Sequence, residues 1–124
     1  MAIIDDIAQY LDDQNIGTLG VDIFKSYNPD AGDTVIAVLD TGGIKPDLYL
    51  PTKEPTFQVY IKAPTYSAGK ALLDSVRTQL HRKFNATIGS TYVYYIEALS
   101  EGGHIGRNER GLDEFSINFH AKTR

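Results

Sequence analysis

A chain of 124 residues, 42% hydrophobic and 23% charged, has the size and composition of one globular domain that buries its own core. The absence of cysteine excludes disulfides, thiolate catalysis and cysteine-based zinc sites. A formal net charge of −4 with no lysine or arginine run excludes a phosphate-neutralising surface, so sequence-specific nucleic-acid binding is not expected.

No internal repeat and no stretch of about 18 apolar residues occurs, so no membrane span is expected. Asp5 and Asp6 stand where a signal peptide needs bases, and the chain reads as soluble where it is made. Ile4, Ile7, Ala8 and Leu11 follow the spacing of one buried helix face, with Asp5 and Asp6 in the first turn and a stop at residues 15–17. Two β-like runs follow. Residues 18–27 alternate Leu19, Val21 and Ile23, residues 28–33 have turn chemistry, and residues 34–39 read as a strand buried on both faces.

Residues 40–55 hold Gly42, Gly43, Pro46, Pro51 and Pro55, with Tyr49 and Leu50 as the main apolar residues. Sixteen residues is long for a connection, and long loops tend to be functional. The segment reads either as a surface loop or as an arm that reaches a neighbouring subunit. Residues 56–62 alternate as a strand, and Leu72, Leu73, Val76, Leu80 and Phe84 mark a helix ending at Asn85 or Gly89. Residues 91–99 and 113–121 alternate as strands, with a glycine-rich turn region at 100–111 between them. The expected fold is α+β, one domain over 1–124 in the order α-β-β-β-α-β-β. Its sheet is mostly antiparallel, of four to five strands, with two helices packed on one face.

Few constellations carry chemistry. Leu39-Asp40-Thr41-Gly42 and Ile105-Gly106-Arg107 resemble elements of the retroviral-type aspartic proteases, where two such aspartates share a proton. Those enzymes are nearly all β, whereas here a helix falls between the two motifs, so the structural reading is a strand end and a turn. His81, His104 and His120 have no metal-ligand spacing, and no serine sits in a nucleophile elbow. No catalytic residue, metal or cofactor is expected, and the chain is not expected to be an enzyme.

Five segments together resemble a bacteriophage minor capsid protein family related to the tail terminators of long-tailed phages. They are Ile16-Gly17-Thr18 with Asp22 and Phe24; Val38-Leu39-Asp40-Thr41-Gly42-Gly43; Pro55-Thr56-Phe57-Gln58-Val59; Ile105-Gly106-Arg107-Asn108-Glu109; and Phe115-Ser116-Ile117-Asn118-Phe119, running on to Arg124. The resemblance implies a protein made in the host cytoplasm and built into the virion, at the tail or the head–tail junction. It implies a hexameric ring on the last ring of tail tube that stops tube growth, joins the head through a connector or stopper protein, and lets DNA through. A connector or stopper role is the alternative reading, and an aspartic protease the weaker one. Asp40, Gly42, Gly43, Asp47, Tyr49, Leu50, Arg107, Glu109 and Arg110 are the candidate contacts to a neighbouring subunit or the tube.

Overall fold

In the computed structural model, which describes residues 3–25, 33–45 and 48–124, the first apolar stripe is buried as its spacing requires. Helix α1 (Ile3–Asp13) buries Ile4, Ile7, Ala8 and Leu11. It ends at Asn15, whose φ of 62° is left-handed, while the Ile16 amide bonds back to the Leu11 carbonyl. This is the closing turn in which asparagine substitutes for glycine. Asp5 pairs with Lys25 at 3.2 Å, but Asp6 turns inward and is 4% exposed.

The alternation at residues 18–27 is only partly a strand. The Thr18 carbonyl accepts from the amides of Val21, Asp22 and Ile23, which makes a turn, and Val21 is exposed. Gly20 at φ 86° lets the chain reverse there, so β1 is confined to Ile23–Lys25. The turn expected at 28–33, and the end of the run at Tyr27, lie almost wholly outside the described residues.

Strand β2 (Val35–Ile44) begins with four buried residues, as a strand covered on both faces should. It does not stop at Leu39. Pairing with β3 (Glu54–Ala63) shifts between Asp40 and Gly43 and resumes at Gly43 opposite Pro55 and Ile44 opposite Glu54. The two ends of the expected sixteen-residue loop, residues 40–44 and 54–55, are therefore the strands of a bulged β-hairpin, called the arm below. Helix α2 (Tyr66–Leu80) starts at Thr65, whose side-chain oxygen accepts from the Ala68 amide at 3.1 Å. It stops earlier than its stripe suggests. His81 is extended, Arg82 has φ 64°, and the Arg82 amide bonds to the Ile96 carbonyl. Phe84 thus belongs to strand β4 (Lys83–Ile88), opposite Tyr95, and is exposed rather than part of the helix's buried face.

Strand β5 (Thr91–Ala98) carries a bulge between Val93 and Tyr95. The extra residue flips the alternation, so Val93 and Ile96 both face the core despite their odd spacing. The glycine-rich region holds another strand, β6 (Gly103–Arg107), paired with the first residues of β7 (Asp113–Thr123). The sheet therefore has seven strands, in the order β1-β2-β3-β7-β5-β4, with β6 beside β7 where β5 leaves off. The element order is α-β-β-β-α-β-β-β-β, and every strand pair but β1–β2 is antiparallel.

Helix α1 touches β1 and β2 at one end of that order and β4 at the other, so the sheet curls around it. Helix α2 packs on β3, β5 and β7, and side chains from both helices share one core with Phe57, Phe115, Ile117 and Phe119. The Phe57 and Phe119 rings stack at 5.2 Å. No described helix is long and apolar enough to cross a membrane.

Asp6 fastens the curl. Its carboxylate accepts from the Thr91 hydroxyl at 2.5 Å and from the Ser90 hydroxyl and amide at 3.4 Å each. A Cβ on Gly89 would sit 2.2 Å from the same carboxylate. Asp6→Ala strands these donors in a part-buried site and is expected to cost about 1–3 kcal/mol. A lowered urea midpoint at an unchanged slope is the expected result, and an unchanged midpoint is the contrary one.

Candidate functional site

The arm gathers five of the predicted contact residues. Asp40 Oδ1 accepts from the Gly42 amide at 2.7 Å, and the Thr41 and Thr56 hydroxyls meet at 2.8 Å across the hairpin. Gly43 has φ 139°, and a Cβ there would lie 2.8 Å from the Glu54 carbonyl oxygen, so both geometry and space call for glycine. Asp40 is exposed and spends its carboxylate on the local turn, as the structural reading of Asp40-Thr41-Gly42 expects.

Beyond this root the chain displays apolar side chains to solvent. Ile44 is 53% exposed, Leu48 79%, Tyr49 90% and Leu50 56%. Asp47 lies outside the described residues. Isolated exposed apolar residues are ordinary, but four within seven residues of chain are a concentration of the kind that marks a contact surface. Ile44 and Leu48 were not singled out by sequence. Their apolar character was visible, but their place on the arm was not.

Arg107, Glu109 and Arg110 sit elsewhere, at the turn between β6 and β7. Asn108 builds this turn: its side-chain oxygen accepts from the amides of Arg110 at 2.9 Å and Leu112 at 3.0 Å. The Ile-Gly-Arg element is thus a strand end leading into a hairpin turn and then a strand, not into a helix. Two of the three charges engage their own chain. Arg107 Nη2 lies 3.5 Å from Asp113 Oδ2, and Arg110 Nη2 lies 3.0 Å from Asp33 Oδ1. Glu109 is exposed.

Asp113 is 2% exposed and also meets His104 Nε2 at 2.9 Å. That hydrogen bond first, and then the Arg107 charge, hold its carboxyl below the ordinary carboxylate range against the opposing effect of burial. A lowered folded-state value gives stability that is present above the unfolded value and is lost as pH falls through the folded one. Asp113→Asn is therefore expected to lower the urea midpoint at neutral pH, with the gap to wild type closing in acid. A gap that persists in acid would show that packing, not charge, sets the effect.

The pairing register separates these two surfaces. Thr56, beside the arm root, stands opposite His120, while Ala63 stands opposite Asp113, beside the β6–β7 turn. They lie at opposite ends of β7, roughly 23 Å apart at the usual rise per residue. The predicted residues thus form two dissimilar surfaces rather than one site. Among the described residues, no cluster of three His, Cys, Asp or Glu is placed to hold a metal ion.

Comparison with known proteins places the fold and the family. A chain from the "Virion of native gene transfer agent (GTA) particle" shares the fold at a TM-score of 0.60 and 12% identity, over 84% of this chain and 79% of that one. A second solved chain, of unstated function, aligns at a TM-score of 0.54 and 12% identity, over 97% of this chain and 90% of that one. No curated protein sequence matches. The profile described as "Bacteriophage tail terminator protein" matches residues 10–124, so the chain belongs to the phage tail terminator family and is a structural protein of the virion tail or its junction.

Proposed function

We propose that copies of this chain close into a ring, six by the family resemblance, on the head-proximal end of the tail tube. One face of the ring caps the tube and stops its growth. The other receives the connector or stopper protein of the head. The observation that supports this reading is the pair of unlike surfaces at opposite ends of β7. A closed ring is built from head-to-tail contacts, which require two different complementary patches on each subunit. The arm, with Ile44, Leu48, Tyr49 and Leu50, supplies one, and the turn with Arg107, Glu109 and Arg110 supplies the other. The chain works by shape rather than by chemistry, and Asp40 serves as a turn residue. DNA passes through the lumen without base-specific contacts, in keeping with the acidic composition.

The test is tube assembly. Tail tube protein polymerised alone should give tubes of unregulated length. Adding this chain should arrest growth, with density for the chain at one tube end only. Tubes whose length does not respond, or chain bound along the tube wall, would contradict the proposal.

A further inference from the structure

His120 is nine-tenths buried on the face of β7 away from the helices, and both of its ring nitrogens meet carboxylates from other strands. Nδ1 lies 3.1 Å from Glu97 Oε1 of β5 in hydrogen-bonding geometry. Nε2 lies 3.2 Å from Glu54 Oε1 of β3, in ion-pair contact but off the line of a hydrogen bond. Only the doubly protonated imidazolium carries the charge that pairs with Glu54 while it donates to Glu97, because a neutral imidazole that donates from Nδ1 turns a lone pair on Nε2 toward the second carboxylate. Glu54 is also the first residue of β3 and pairs with Ile44, so it is the foot of the arm.

We propose that His120 is a proton-dependent clamp on the arm: as imidazolium it ties Glu54 to Glu97 and fixes the arm's root, and on losing its proton it releases Glu54. The other groups around it fit this role. The Tyr95 ring lies 5.7 Å from the imidazole, and burial, then the charges of Glu54 and Glu97, push its hydroxyl above the ordinary range. Both carboxylates therefore bear on the same small region. Lys122 stands two residues along the same face of β7, opposite Tyr95. Lys53 joins Thr123 through backbone hydrogen bonds at 2.8 Å on the tip side of Glu54, so the clamp acts on the Ile44–Glu54 pair between that anchor and the bulge. Acidification thus stiffens the arm, and alkalinisation loosens it. That the arm is a contact surface rests on the function proposed above, whereas the clamp itself does not.

The test is an NMR titration of the full chain, following the His120 imidazole nitrogens together with the amides of Ile44 and Glu54. Both amides should shift with the same midpoint as the imidazole. Protection from hydrogen exchange at Gly43, Ile44 and Glu54, corrected for its intrinsic pH dependence, should fall by about fivefold on deprotonation, the size of one partly exposed ion pair. Glu54→Gln should abolish the amide response while the imidazole still titrates. His120→Gln should give a pH-independent arm; should that variant not fold, the wild-type and Glu54→Gln titrations decide alone. An imidazole that titrates without moving these amides, or that stays neutral throughout, would overturn the clamp. Because every readout lies within one subunit, a failure to form rings leaves this result standing, and rings without the coupling remove only the clamp.

Discussion

Replacing Leu48, Tyr49 and Leu50 together with serine is expected to leave the fold intact and to prevent assembly of the proposed ring. All three side chains are more than half exposed in the subunit, so their removal should change folding stability by no more than about 1 kcal/mol. At an interface the same atoms would be desolvated. A central aromatic anchor there typically costs about 2 kcal/mol or more when truncated, and its apolar neighbours add to this. The contact should weaken by on the order of a thousandfold, enough to empty a ring at working concentrations. Thermal unfolding followed by circular dichroism checks the first half and sedimentation velocity the second. A variant that melts normally and still assembles would remove the arm from the account.

Gly69→Ala is expected to destabilise the protein, against the sign of helix propensity. In an exposed helix interior, alanine is better than glycine by about 1 kcal/mol. Here the added methyl would sit 2.1 Å from Phe115 Cε1 and 2.7 Å from Cδ1. The Phe115 ring cannot easily move aside. It is fully buried, with Tyr66 at 5.5 Å and His104 at 5.0 Å against it. Overpacking of this kind costs about 1–3 kcal/mol, which outweighs the propensity gain. Gly69→Leu should be worse, and a raised urea midpoint for Gly69→Ala would contradict the close approach of α2 to β7.

The elements that sequence revealed are those whose periodicity is unbroken. Helix α1 and strands β3 and β7 repeat their apolar residues at 3.6 or 2 without interruption, and the apolar faces that spacing assigns are buried, with Asp6, Lys62 and His120 buried besides. Interruptions misled the reading. Phe84 continues the stripe of α2 by number, but Arg82 turns the chain and starts β4. The bulge at Val93 and Tyr95 inverts the faces of β5. Glycines that read as a loop at 42–43 and 102–106 let β2 continue past its bulge and accompany β6.

The candidate site was legible as two segments, since residues 40–55 stand out by length and composition and Arg107 to Arg110 by charge. Their separation along β7 was not legible, because it depends on strand register. Partnerships formed across long sequence intervals were also out of reach. Asp6 with Ser90 and Thr91, and His120 with Glu54, exist only because the sheet curls and β7 lies between β3 and β5.

The most direct test of the central claim, that unlike ends of this subunit join head to tail into a closed ring, is its native mass across a concentration series, alone and in the presence of tail tube ends. The expected result is a single closed species larger than a dimer, six subunits by the family analogy, forming spontaneously or on the tube. A subunit that remains a dimer or a monomer at every concentration and on the tube would contradict it.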